Sequence, residues 1–283
     1  MPVFNLEHRT SNFELLLSYL VTRYALRVTI LAADAMTEPL TTTDTFFHGK
    51  VVIKQPKKGY RFAVDSPILA DFLPGSKSPA LEIGCGAGVI SLLALQQKKF
   101  PAVTGIEIQD VLYRLAVENA AANSLSDKFH VIHGDFKRIH PGIQNVQTIF
   151  CNPPFFKTGQ GRVSPDPTIR LARFEIALTL ADLLSGCAAI LAPQGKLCLI
   201  FPFSRQKELL AEAKAHGLYP AKMRLLHPFA DSVPDRLLVQ LKKTERSCRI
   251  EEPLVVFKVK GIYSPEMERI FAGPVGAGEA SSF

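Results

Sequence analysis

The chain has 283 residues, 47% of them apolar, and a formal net charge of +7. Such a length and apolar share suit one large domain with a substantial core, and the positive balance favours an anionic partner such as nucleic acid. Five cysteines, Cys85, Cys151, Cys187, Cys198 and Cys248, form an odd set without a C-x-x-C pair. Most sit in apolar surroundings, which argues against a disulfide framework or structural zinc and for a reducing cytoplasm.

In chain order, Phe13 to Ala33 is long and apolar enough to resemble a membrane span, but Arg23 and Arg27 interrupt it. Charge inside a span is costly, and the same arginines fall within the apolar region of any signal peptide. No membrane partner is expected. Met36 is read as the natural start and residues 1–35 as an upstream extension, with a helical appendage as the alternative. Residues 36–272 form the domain, and the small-residue stretch 273–283 is read as a disordered tail.

From about Thr45 onward, short β-branched runs alternate with helical periods. Strands are predicted at Ala80–Ile83, Ala102–Glu107, Phe129–His133, Thr148–Cys151 and Lys196–Phe201. Helices are predicted at Val89–Gln97, Val111–Asn123, Thr168–Leu191 and Ser204–His216. This alternation argues for a parallel sheet covered on both faces. Ala221–Leu226 and Arg236–Lys242 follow with no helix between them, so a hairpin-like return is expected to place an antiparallel strand at one edge of the sheet.

The most informative segment is Leu81-Glu82-Ile83-Gly84-Cys85-Gly86-Ala87-Gly88-Val89-Ile90. A strand runs through three alternating glycines directly into a helix. Glycine lets the backbone turn sharply and approach a ligand, and the helix N-terminus offers free N–H groups. Glu107 ends the next strand about 20 residues on, where an acidic residue holds ribose hydroxyls. Together, Gly84, Gly86 and Glu107 point to a nucleoside-containing cofactor. Asp135 follows the third strand, where it suits either the adenine amino group or a turn cap, and Phe136 is placed to cover the ring. Glu82 either braces the glycine loop or reaches the far end of the cofactor.

Asn152-Pro153-Pro154-Phe155 follows the fourth strand, at the carboxyl edge where open α/β sheets bind ligands. An exocyclic amine is a poor nucleophile because its lone pair is delocalised. The Asn152 side-chain oxygen and the Pro153 carbonyl can accept its two hydrogens and hold the lone pair toward an electrophile. Pro153 and Pro154 stiffen the segment, and Phe155 offers a face for a flat base, a contact worth about 1–3 kcal/mol. Positioning then carries the catalysis.

With these residues, the chain resembles the class I S-adenosylmethionine-dependent methyltransferases that modify amino nitrogens. More narrowly, it resembles the bacterial tRNA1(Val) (adenine-37 N6)-methyltransferase family, from about Thr45 to Gly273. The narrower likeness rests on Gly59-Tyr60-Arg61-Phe62-Ala63-Val64-Asp65-Ser66, on Ala172-Arg173-Phe174-Glu175 with Asp182-Leu183-Leu184, and on Gly261-Ile262-Tyr263-Ser264 before Glu268-Arg269-Ile270. Two departures stand out: Phe155 where the family often has Tyr, and Phe174 in place of a commoner His.

The resemblance implies a Rossmann-like fold, a seven-stranded and mostly parallel sheet with one antiparallel strand and helices on both faces. It implies S-adenosyl-L-methionine as methyl donor and an adenine N6 beside the tRNA anticodon as target. Lys157, Arg162, Arg170 and Arg173 form one basic cluster for RNA phosphates, and Lys57, Lys58 and Arg61, with Lys54, form a second.

Competing substrates keep the chemistry: guanine N2 of ribosomal RNA, a protein glutamine amide, or DNA adenine. The glutamine enzymes usually carry an N-terminal helical domain, for which residues 1–44 are too short. A non-catalytic, cofactor-binding RNA scaffold is the reading from a different class. His130, His133 and His140 lack carboxylate or thiol partners at ligand spacing, so no metal is expected. The oligomeric state is not legible.

Overall fold

The structure is a computed structural model that describes residues 41–57, 63–153 and 178–274. The expectations for residues 1–35, for Lys58, Arg61, Pro154, Phe155, Lys157, Arg162, Arg170 and Arg173, and for 275–283 lie outside the described residues. In chain order the elements are β1 (Thr41–Phe46), β2 (Val51–Pro56), α1 (Asp65–Phe72), β3 (Ala80–Ile83), α2 (Val89–Gln96), β4 (Val103–Glu107) and α3 (Asp110–Ala122). They continue as β5 (Phe129–His133), α4 (Phe136–Ile139), β6 (Val146–Cys151), α5 (Leu180–Ile190), β7 (Leu191–Pro202), α6 (Gln206–Ala215), β8 (Tyr219–His227), β9 (Arg236–Lys242), β10 (Arg249–Val255), β11 (Phe257–Val259), β12 (Ile262–Tyr263) and α7 (Pro265–Ala272).

Eight strands form the main sheet in the order β10-β8-β9-β7-β6-β3-β4-β5. All of them run the same way except β9, which is antiparallel to both β7 and β8. The Rossmann-like expectation therefore stands with one strand more than the expected seven. The antiparallel strand also lies inside the sheet rather than at its edge, because β8 pairs on its far side, and β10 then covers β8 and buries Leu254.

Strand geometry explains the two cores. Side chains alternate across the pleat, so neighbours in sequence enter opposite layers. Phe150, Cys198 and Ile200 join the layer formed with α1, α2 and the β1–β2 hairpin. Ile149, Cys151, Leu197, Leu199 and Phe201 join the layer formed with α5 and α6. Cys85, Cys151, Cys187 and Cys198 are buried, and burial raises all four thiols, Cys198 to about 12. They are packing residues.

Of the helix expected at Thr168–Leu191, residues 168–177 lie outside the described residues, and the described helix starts at Leu180. Thr179 is extended and forms a capping box with Asp182, a local hydrogen-bond pair that ends the helix on its N-terminal side.

The β1–β2 hairpin pairs with no strand of the main sheet. It is held by two asparagines one turn apart, Asn119 in α3 and Asn123 at its C-cap. The Asn123 side chain accepts from Val52 N–H at 2.8 Å and donates to Val52 O at 2.7 Å. Asn119 does the same to Lys54, at 2.8 and 2.9 Å, and its amide also donates to Ala87 O at 2.9 Å. Two side chains thus supply the pairing that a neighbouring strand would give β2. Asn119, fully buried, ties that strand to the glycine loop.

Asn119→Leu keeps the volume but leaves the Lys54 amide and the Ala87 carbonyl without this partner. A buried polar group left unsatisfied costs about 1–3 kcal/mol. A loss of that size is expected in urea denaturation, with the denaturant slope unchanged.

Candidate active site

Strand order decides where the site lies. From β3 the chain passes to β4 and β5 on one side, then crosses to β6 on the other. The crevice at the carboxyl ends of β3 and β6 is therefore a topological switch point, where open α/β sheets bind ligands. Register sharpens the placement. Ile83 pairs with Cys151, so the next residues, Gly84 and Asn152, leave adjacent strands side by side, about 4.8 Å being the ordinary strand spacing.

The glycines between β3 and α2 serve different ends. Gly84, Gly86 and Gly88 have φ values of +66°, +55° and +84°, in the left-handed region that favours glycine. A Cβ on Gly88 would fall 2.5 Å from the Phe129 ring, and one on Gly105 beneath the loop would fall 2.7 Å from Cys85 Sγ. Those two glycines admit close packing. A Cβ on Gly84 would meet nothing within 4 Å, because that position faces open space.

Two buried carboxylates hold the loop. Glu107, 4% exposed, accepts from Gly86 N–H and Gln109 N–H, each at 2.8 Å. Burial raises its pKa, against these backbone donors, which lower it. Glu82, 1% exposed, accepts from the Ser91 amide at 3.2 Å and from the Ser91 hydroxyl. Ser91 lies in the first turn of α2, whose N-cap Gly88 has no side chain, so Glu82 caps the helix from the preceding strand. Burial pushes the Glu82 carboxyl up to about 8. Bracing is thus the interaction Glu82 makes here, and it uses one of the N–H groups expected to be free.

An open cleft of about 420 Å³ lies over this loop, lined by Gln55, Pro56, Ser66, Glu82, Gly84, Gly86, Leu112 and Asn152 among others. Asn152 Oδ1 is buried and accepts no hydrogen bond among the described residues. Such an orphaned acceptor is costly unless a ligand supplies its donor. Open space at Gly84 and an unsatisfied oxygen at Asn152 fit a cofactor lying across the loop with an amine beside it.

The structure therefore gathers Glu82, Gly84, Gly86 and Asn152 at one cleft, with buried Pro153 next in chain and Glu107 joined through the Gly86 amide. Asp135 acts as an N-cap, accepting from Lys137 N–H at 3.0 Å, the turn role weighed for it. Phe136 requires a correction. Its ring is 4% exposed and packs against Gly186 of α5 and the His140 ring, because the short helix that Asp135 caps turns it into the core. Exposed Lys57 follows Pro56 at the rim.

Sequence reasoning missed Gln55, Pro56 and Asn119 as parts of this site, whereas Ser66, which lines the cleft, closes the 59–66 segment on which the resemblance drew. Asp65-Ser66-Pro67 was a legible helix start, and Asn119 and Asn123 were a legible i, i+4 pair, but their partners are distant in sequence. Arg236 Nε lies 3.3 Å from Asp65 Oδ2 and joins the start of β9 to α1 beside the cleft. Burial raises the Asp65 carboxyl, partly offset by that arginine. Among the described residues, no group of three or more His, Cys, Asp or Glu could hold a metal ion.

Residues 61–212 match the model of the methyltransferase small domain family. A tRNA1(Val) (adenine(37)-N6)-methyltransferase of Porphyromonas gingivalis is 30% identical over 240 residues, which are 81% of this chain and 93% of that protein. A protein of the same name from Flavobacterium johnsoniae is 28% identical over 217 residues, 76% of this chain and 92% of its own. Among solved structures, one described as a predicted O-methyltransferase of Agrobacterium tumefaciens superposes with a TM-score of 0.55 at 20% identity. It covers 73% of this chain and 94% of its own, a likeness of fold alone.

Glu82 generates a pH test. Its folded pKa of about 8 lies above the ordinary 4.5, so between those values the folded chain keeps a proton that the unfolded chain releases. The associated stability is present below pH 4.5, falls as pH rises through that window, and levels off above about 8. Glu82→Gln mimics the protonated group. Its melting temperature should decline less than that of the wild type between pH 5.5 and 8.5, and parallel curves would contradict the assignment.

Proposed function

The chain belongs to the methyltransferase small domain family and, within it, to the tRNA1(Val) (adenine(37)-N6)-methyltransferases, and we propose that its cleft transfers a methyl group to N6 of adenine 37 in tRNA(Val). The observation that carries the chemistry is the buried, unpartnered Asn152 Oδ1 beside the glycine loop. S-adenosyl-L-methionine is the methyl donor and supplies an electrophilic methyl group. The residues that would hold it are Gly84 and Gly86, with Glu107 for ribose hydroxyls. Glu107 keeps lone pairs for this while bonding two amides, since a carboxylate offers about four acceptor sites. Asp135 at the adenine end and Glu82 at the other complete the cofactor side, with Glu82 acting by holding α2 and the loop.

Asn152 Oδ1 accepts one hydrogen of the adenine amine and the Pro153 carbonyl accepts the other. Both are then used to aim the nitrogen lone pair. Pro154 keeps the segment stiff and Phe155 stacks on the base. The amine gives up its proton to water after transfer, so no strongly tuned general base is needed. Excluding bulk water and fixing the angle of attack are what the protein contributes.

An anticodon-loop adenine is already partly unpaired, so drawing it into the cleft costs less than flipping from a duplex. Lys57, Lys58 and Arg61 on one side of the segment order, with Lys157, Arg162, Arg170 and Arg173 on the other, supply cations for RNA phosphates. Among the described residues, no helix is long and apolar enough to cross a membrane. The cytoplasm, where tRNA is modified, is the proposed location.

Two variants test this reading on unmodified tRNA(Val), with nucleoside mass spectrometry as readout. The wild type should form N6-methyladenosine at the anticodon loop. Methylguanosine, or label in protein only, would overturn the substrate. Asn152→Ala should lower kcat by about 10²–10³ or more, the cost of removing one preorganised hydrogen-bond partner. Its affinity for S-adenosylmethionine should be retained in calorimetry. Gly84→Ala should show the converse, weakened cofactor binding with a stability loss of about 1–2 kcal/mol, because φ of +66° strains a residue with a Cβ and the added methyl group enters the open space above the loop.

A further inference from the structure

One motif is left unused by the catalytic site. Gly261-Ile262-Tyr263-Ser264 lies in the small antiparallel hairpin formed by β11 and β12, where Phe257 faces Tyr263 and Val259 faces Ile262. The hairpin leaves the end of β10, whose Val255 pairs with His227 at the end of β8. Both strands run in the direction of β6, so the hairpin stands on the carboxyl edge, the edge that carries Asn152. Four strand intervals separate β10 from β6 in the sheet order, which is about 19 Å at ordinary strand spacing.

The hairpin is firmly rooted. Val256 N–H donates to His227 O at 2.8 Å, Phe257 N–H to Pro228 O at 2.9 Å, and Ser264 N–H to Val256 O at 3.0 Å. Aromatic rings continue the anchoring. Phe257 stacks on Tyr263 with centroids 4.9 Å apart, Tyr263 meets Phe271 edge-on at 4.8 Å, and Phe229 lies 5.9 Å from Phe257.

Its tip is solvated and basic. Lys258, Val259, Lys260, Gly261 and Ile262 are all exposed, with Val259 at 51% and Ile262 at 53%. Pro253 to Ser264 contains two lysines and no acidic residue. Neither lysine forms an ion pair among the described residues. Arginines nearer the site are differently placed: Arg205 pairs with Glu208 at 2.7 Å, and Arg236 with Asp65 and Asp235. Lys258 and Lys260 are thus exposed cations on this side that no acidic side chain neutralises among the described residues.

We propose that the β11–β12 hairpin is an outer RNA-binding arm, in which Lys258 and Lys260 contact backbone phosphates of the tRNA about 19 Å from the methylated base. The inference rests on the tRNA reading above. Val259 and Ile262 lie against the adjoining sugars, where an apolar contact costs the RNA no hydrogen bond. A rooted arm holds the anticodon stem at a second point, so that one base alone need not orient the whole substrate. Such a contact acts on RNA affinity and not on the chemical step.

The test uses the full chain with full-length unmodified tRNA(Val). A K258A/K260A variant should raise the KM for tRNA about tenfold and lower the salt dependence of binding by about one to two in log–log slope. At saturating tRNA, kcat and the Kd for S-adenosylmethionine should stay within about twofold of the wild type, and K258R/K260R should restore KM. Unchanged KM and salt slope in K258A/K260A, with an active wild type, would overturn the arm and leave the catalytic reading intact. Parallel loss of kcat or cofactor affinity would also overturn it, since the hairpin would then be shaping the catalytic domain. A wild type that binds cofactor but neither binds nor methylates tRNA would remove the tRNA reading itself, and the arm with it.

Discussion

The pairing of β3 with β6 is the constraint from which the site follows. These two short strands diverge in connection but run in register, Ile83 against Cys151. Gly84, Asn152 Oδ1 and the Pro153 carbonyl lie one or two residues past that pair. Shifting the register by one residue would turn each side chain to the opposite face of the sheet. It would send Ile83 and Cys151 out of their core layer and carry Glu82 away from Ser91. Burial of apolar residues on both faces therefore fixes the active-site geometry as a consequence of fixing the sheet.

A second level of order comes from buried polar groups that join neighbouring elements. Glu82 connects β3 to α2, Glu107 connects β4 to the glycine loop, and Asn119 connects α3 to both that loop and β2. Each satisfies backbone groups that neither helix nor sheet could pair. The glycine loop is consequently gripped from three sides, yet Gly84 still faces open space. Rigidity around an open position is what a binding loop needs, since a preordered site loses less conformational freedom on binding. Asn152 differs from these three because its oxygen has no hydrogen-bond partner among the described residues. The contrast separates groups that build the cleft from a group reserved for what enters it.

The sheet then extends this logic outward. Adding β9 antiparallel to β7, with β8 and β10 beyond it, widens the carboxyl edge well past the catalytic strands. The Asp65–Arg236 pair ties that extension to α1 beside the cleft. Aromatic contacts from Phe46 through Phe271 to Tyr263 and Phe257 bind the C-terminal elements to the N-terminal hairpin. A small catalytic crevice is thereby set into a broad edge, a shape suited to a substrate far larger than the base that reacts.

Much of this was local information and therefore readable in the sequence. The glycine spacing, Glu107 at a strand end and Asn152-Pro153 after the fourth strand each depend on backbone conformation within a few residues. Strand and helix alternation announced the parallel sheet for the same reason. Other features depended on contacts between distant segments. Phe136 looked available to a ligand, but the turn made by its own cap buries it against α5. Gln55 gave no sign of facing Asn152, because only folding brings β2 over the glycine loop. The eighth strand and the interior position of β9 likewise followed from which edges remained to be covered. Sequence alone determined the chemistry available and the order of the elements, because both are properties of neighbouring residues. Tertiary structure decided which polar atoms are spent on the fold and which remain for a ligand, because a hydrogen bond between residues 65 apart has no local signature.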